Sequence, residues 1–267
     1  KLMKKLLIIT IIFTIILLTL GIITAAFGAC LGCPDWPLCY GSVLPPEQFV
    51  AKLEYYHRLF AAIVGILSII VGILYFKNQK LLSSLLIVLI ISQILIGGLT
   101  VILKMPFIIS MGHAIFAILT YITLFMLYKN TYKFQNNFWT IAFILALLYY
   151  IWGAVVDKTS SKLACENILC LSSSFQNPKV IIQFIYQMLN LTLIFITLIS
   201  LKKFSMEKFI FLILTISIFI ANILVIKSLL SVSMVTIHYI ITLLTLTFSL
   251  LKAIKEVKQE IPKTSEA

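Results

Sequence analysis

Residues 6–26 read LLIITIIFTIILLTLGIITAA, a stretch without a single charged side chain. As a helix rising about 1.5 Å per residue, such a run reaches across a hydrocarbon core of roughly 30 Å. In lipid the backbone must satisfy its own hydrogen bonds, so a helix is the form this stretch takes. Lys4 and Lys5 precede it in the manner of a secretory signal. Its apolar core is longer than the roughly 7–15 residues of a typical signal, so it reads as a retained span. Seven further apolar runs follow, at Tyr55–Phe76, Leu81–Leu103, Phe107–Tyr128, Phe138–Val156, Val180–Leu201, Phe209–Ile226 and Ser231–Leu251. The chain therefore reads as an all-α polytopic membrane protein with eight transmembrane helices.

Composition agrees. Of 267 residues, 61% are hydrophobic and 11% charged, too little polar surface for a soluble domain of this size. The net charge of +12 raises the question of nucleic acid. The lysines, however, sit in short clusters between apolar runs, as juxtamembrane anchors do, which excludes that class and names the lipid bilayer as the partner. One set of loops carries Lys4, Lys5, Lys77, Lys80, Lys129, Lys133, Lys202, Lys203 and Lys208, with Lys252, Lys255, Lys258 and Lys263 in the tail. The opposite loops carry only Lys52, Lys104, Lys158, Lys162, Lys179 and Lys227. The positive-inside rule then places both termini in the cytoplasm and the long loops 27–54 and 157–179 outside the plasma membrane.

All five cysteines fall in those two loops: Cys30, Cys33, Cys39, Cys165 and Cys170. An oxidising exterior favours two local disulfides, within Cys33–Cys39 and Cys165–Cys170, leaving Cys30 over. The rival is a zinc site spanning both loops, although neither loop holds a histidine.

The chain also repeats itself. Each half has a helix, a long outer loop with a cysteine pair, a helix, an inner loop, a helix, a short outer turn and a helix. Cys33–Cys39 answers Cys165–Cys170. Gly97-Gly98-Leu99-Thr100-Val101 answers Ala221-Asn222-Ile223-Leu224-Val225, and His113 answers His238. Glu54-Tyr55-Tyr56-His57-Arg58 answers Gln183-Phe184-Ile185-Tyr186-Gln187, so the ionisable groups of the first half become neutral in the second. An even number of spans per half makes this a parallel repeat. It divides the chain into an N-terminal four-helix bundle, 1–133, and a C-terminal one, 134–267.

Ionisable groups within spans are costly and tend to serve function. His57 lies about nine residues into a helix that can begin near Gln48, and His113 lies seven residues past Pro106. The two depths differ by only a few ångströms, the arrangement that bis-axial haem ligation requires. A plain buried histidine on each helix is the competing reading. Glu54 precedes His57 by three residues and shares its helix face, as a general acid or base, an orienting partner or a cap. Arg58, the only arginine among 21 basic residues, suits bidentate recognition of a carboxylate such as a haem propionate. A snorkelling interfacial cation is the alternative. In the second half His238 sits at the matching depth opposite Tyr186, which is itself able to ligate haem iron. Gly97-Gly98 either admits a flat cofactor or allows close helix packing. Met105 and Met111 are soft donors of a kind common in apolar spans.

These residues resemble the haem A synthase family, the membrane enzymes related to the mitochondrial cytochrome oxidase assembly factor of the same activity. The resemblance rests on Cys33-Pro34-Asp35-Trp36-Pro37-Leu38-Cys39-Tyr40-Gly41, on Glu54-Tyr55-Tyr56-His57-Arg58-Leu59, on Gln93 to Val101, and on Lys104-Met105-Pro106 running to His113. It spans the chain and is strongest in the first half. It implies two four-helix bundles related by a pseudo-two-fold axis, and oxidation of the C8 methyl of haem O to a formyl, giving haem A for a terminal oxidase. By that likeness His57 and His113 flank the substrate haem O, Glu54 is the acidic catalytic residue, and the loop cysteines form disulfides. The second bundle of the family holds a haem b cofactor between two histidines, whereas here only His238 is present and Tyr186 stands in place of the other. A haem O synthase becomes the upstream partner, and the electron donor or acceptor stays open. Other classes account for part of the pattern. A non-enzymatic haem-binding protein or cytochrome carrier needs the ligands without the acid, and a thiol–disulfide protein would use Cys33 and Cys39 alone.

Overall fold

A computed structural model describes residues 2–161, 164, 165, 170, 175–226 and 232–254. Lys162, Lys227, Ser231 and the tail lysines 255, 258 and 263, all used above, lie outside the described residues. Eight helices are present: α1 (Leu2–Ala26), α2 (Phe49–Tyr75), α3 (Lys80–Ile102), α4 (Phe107–Lys129), α5 (Phe138–Lys158), α6 (Pro178–Ser200), α7 (Met206–Ile226) and α8 (Val232–Ala253). All eight are long and apolar enough to cross a membrane.

The largest departure from the sequence-based spans is at α2, which begins at Phe49 rather than Tyr55. A hydropathy window stops at charge, but hydrogen bonding does not. The added turns carry Lys52, which pairs with Glu47 in the exposed region, and Glu54, which pairs internally with Arg58. Helix ends elsewhere follow local chemistry. The side chains of Asn137 and Asn177 accept from Trp139 N and Lys179 N, and Pro178 opens α6 where its missing N–H costs nothing. Asn130 takes the left-handed conformation, φ 54°, that closes α4.

Helix contacts run from α1 to α2, α3 and α4 in turn and back from α4 to α1. They run likewise from α5 through α6, α7 and α8 and back to α5. The α1–α8 and α4–α5 contacts join the two sets. The dry centre is built from side chains such as Leu7, Leu86, Tyr121, Leu193, Phe211 and Leu246. Large apolar residues on the outside, including Ile66, Ile73, Val88 and Phe195, face where lipid would be. Several buried hydroxyls are satisfied within their own helices: Thr10, Thr14 and Thr24 each donate to the carbonyl four residues back. Tyr121 and Thr247 share a 2.6 Å hydrogen bond that ties α4 to α8.

Candidate functional site

The site is assembled among α1 to α4, beneath the first long loop. Cys33 and Cys39 are joined, with Cα atoms 4.7 Å apart, and Cys165 and Cys170 are joined at 4.9 Å. Because each loop pairs its own cysteines, the alternative zinc site has no four-cysteine ligand set. Inside the first loop both carboxylate oxygens of Asp35 accept backbone N–H groups, from Tyr40 at 2.6 Å and Gly41 at 2.7 Å. The Gly41 hydrogen bond is the main reason that the Asp35 carboxyl titrates below its ordinary value. A group with a lowered folded pKa stabilises above its unfolded pKa, and that contribution fades as pH falls through the folded value. Amide protection factors at Tyr40 and Gly41 should therefore drop on acidification, and Asp35→Asn should abolish that step. An unchanged step in the variant would assign it to another group.

Arg58 holds this loop from below. Its Nη1 donates to the carbonyls of Asp35 and Leu38, both at 2.8 Å, and Nη2 donates to that of Cys33 at 3.0 Å. Nε and Nη2 also donate to Glu54 Oε1, at 3.1 and 2.5 Å. The other carboxylate oxygen, Glu54 Oε2, accepts from Cys33 N at 2.7 Å. Every N–H of the guanidinium thus has a protein acceptor, and a propionate would have to replace one of these bonds. Glu54 is almost fully buried, 3% exposed, so the pair is internal to the protein rather than a solvated surface bridge.

His57 is the ninth residue of α2 and His113 the seventh of α4. Both rings are half-buried and lie within electrostatic range of each other. Each is seated on a glycine of a neighbouring helix. A Cβ on Gly21 would lie 3.2 Å from His57 Cε1, and one on Gly97 would lie 3.0 Å from His113 Cε1. Gly98 does the same for the loop, since its Cβ would sit 3.0 Å from the Trp36 ring. Gly97-Gly98 therefore makes room for a histidine and a tryptophan. The Nδ1 atoms of His57 and His113 are buried and have no hydrogen-bond partner, and Gln93 Nε2 lies 3.4 Å from His113 Nε2.

The second half reproduces the frame and changes its contents. Tyr186 is the ninth residue of α6 and His238 the seventh of α8, the same registers as His57 and His113. Gln183 Oε1 accepts from Cys165 N at 2.8 Å, as Glu54 does from Cys33 N. Tyr186 rests on Gly153, 3.3 Å from a Cβ built there. Its hydroxyl lies 3.0 Å from His238 Nε2, and Tyr149 OH lies 3.5 Å from the same nitrogen. Asn222 donates to Tyr149 OH at 2.8 Å, and the two tyrosine rings stack with centroids 4.3 Å apart.

No protein-family profile matches the chain. Curated relatives do. A protein named Heme A synthase from Shewanella oneidensis is 32% identical over 144 residues, covering 46% of this chain and 44% of that protein. Proteins of the same name from Alkalihalophilus pseudofirmus and Shouchella clausii are 31% and 29% identical over 193 residues, each covering 63% of this chain and 64% of the relative. Over part of its length the chain is similar to these bacterial haem A synthases. The matched regions span less than two thirds of those relatives' length.

Haem is the group that a haem A synthase relative must be tested against. The first half fits. Two half-buried imidazoles, each on a glycine and each with an Nδ1 that has no hydrogen-bond partner among the described residues, provide donors of the right type for axial ligation. The second half does not fit. Two metal–nitrogen bonds of about 2.0 Å put opposed donors about 4 Å apart, with the macrocycle between them. Tyr186 and His238 instead share a 3.0 Å hydrogen bond.

The sequence reading did not find Gly21, Gly153, Asp35, Trp36, Tyr149, Gln93 or Asn222 as site residues. The matched placement of Gly21 and Gly153 in the repeat carried that signal. Nothing local marked Tyr149, which reaches His238 only through the packing of α5 on α8. Cys30 is half-buried outside α1, and burial pushes its thiol above the ordinary range. It stays neutral and is a weak nucleophile.

Proposed function

We propose that this chain is a membrane haem oxidoreductase that converts haem O to haem A by oxidising the C8 methyl group to a formyl. The observation that carries the reading is the His57–His113 pair on its two glycines, beside the Glu54–Arg58 ion pair, in a relative of haem A synthases. Haem O is the substrate. His57 and His113 are its axial ligands, which fix the depth and plane of the macrocycle. Glu54, one helical turn before His57, is the acid–base residue. Arg58 positions that carboxylate and anchors the disulfide loop, and it meets a propionate only by exchanging a loop carbonyl. Trp36 on Gly98 covers the outer face and limits water.

The eight spans form two four-helix bundles, 1–133 and 134–267, related by a pseudo-two-fold axis. Helix contacts that close α4 on α1 and α8 on α5 support this division. The lysine bias supports cytoplasmic termini and exterior cysteine loops in the plasma membrane. A haem O synthase is the upstream partner; the formyl oxygen comes from water, and the four electrons released, with four protons, go to an external redox protein or quinone. A resident haem b is left out of this proposal, because Tyr186 and His238 do not fit it.

Expression in cells that make haem O but no haem A provides the test. Pigment extracted from membranes containing the chain should include haem A, whereas the vector control should contain haem O alone. Haem O unchanged in both, with the chain present and folded, overturns the proposal in favour of a non-enzymatic haem carrier.

A further inference from the structure

The Tyr149–Tyr186–His238–Asn222 cluster has no part in the chemistry just proposed, yet it lies in the register of the first-half site. We propose that the chain holds a single haem, in the first half, and that this cluster closes the second half as a polar core that holds none. The count rests on the reading that His57 and His113 bind haem.

Four observations carry it. His238 Nε2 is met by two hydroxyls, Tyr186 at 3.0 Å and Tyr149 at 3.5 Å. That spacing is about 1 Å short of the separation that opposed axial donors on either side of a macrocycle need. The hydroxyls are held in place by other bonds, since Asn222 donates to Tyr149 OH and the Tyr149 ring lies flat on Tyr186, 9° from parallel. Asn222 also stands where the first half has Gly98, so the position that makes room for Trp36 in one half contributes a hydrogen bond in the other.

Charge tells the same story. Tyrosine ligates ferric iron as a phenolate, and a buried anion needs a compensating partner. The second half has Gln183 and Gln187 in place of Glu54 and Arg58 and presents neutral groups at both positions. His238 Nε2 is a partner in internal hydrogen bonds with Tyr186 and Tyr149 in this arrangement. Electrons removed from haem O then pass from the first half to an external acceptor without a second iron on the way.

The full chain in detergent, titrated with ferric haemin and followed by Soret absorbance and iron analysis, tests this. A single equivalent should bind, and His57→Ala should remove it. His238→Ala should keep the equivalent and its spectrum. Tyr186→Phe, which retains the stacked ring if His238→Ala fails to fold, should do the same. Two equivalents in the wild type, one lost with each histidine variant, overturn the inference and leave the proposed function standing. Loss or spectral change of a single equivalent in Tyr186→Phe also overturns it. Binding of none overturns both the count and the first-half site.

Discussion

Glu54→Gln should leave a folded protein that makes haem A at least about 100-fold more slowly, the low end of what a positioned acid–base group contributes. The second half shows why the fold survives. Gln183 already fills the same place, with its Oε1 accepting from Cys165 N at 2.8 Å, so an amide at position 54 can keep the bond from Cys33 N. What is lost is the charge opposite Arg58, at a cost of about 1–3 kcal/mol. Arg58→Ala should be worse for stability, about 3–5 kcal/mol, because it strands a carboxylate that is 3% exposed and removes three bonds to the first loop. Thermal unfolding in detergent and haem A extraction, read on both variants, separate the two roles. A Glu54→Gln protein that works at the wild-type rate would show Glu54 to be purely structural.

Gly97→Leu should abolish haem binding in the first half, whereas Gly153→Leu should leave it intact. The two glycines do the same mechanical job. At Gly97 the first added carbon already approaches His113 Cε1 at 3.0 Å, so a full side chain must displace the imidazole from its place. At Gly153 the ring met at 3.3 Å belongs to Tyr186, which the proposal keeps off the iron. Both substitutions overpack a helix contact, for about 1–3 kcal/mol. Equal loss of stability with unequal loss of haem is the expected pattern, measured by melting temperature and Soret absorbance on the same samples. Equal loss of haem would mean that the two halves share the binding of one cofactor.

Much of this was legible in the residues alone. Eight apolar runs, of which only the second holds a charged side chain (Arg58), spaced by lysine clusters, determine eight helices because lipid leaves the backbone no other partner. The internal repeat aligned His57 with Tyr186 and His113 with His238, and each pair holds the same position in its helix, ninth and seventh respectively. The Cys33–Cys39 and Cys165–Cys170 pairs followed from an oxidising side and short spacing. A helix beginning near Gln48, the reading that sets the depth of His57, matches the observed start at Phe49, although the apolar run alone begins at Tyr55. The work of Arg58 was not legible, because its donors are claimed by Asp35, Leu38 and Cys33, residues at least 20 positions away along the chain. Pattern along one helix reports which face is buried, but not which distant carbonyls the fold brings to that face. The same limit applied to the second half, where the sequence showed a tyrosine in place of a histidine. Only the packing of α5, α6, α7 and α8 brought Tyr149 and Asn222 to it and spent the His238 nitrogen on a hydrogen bond.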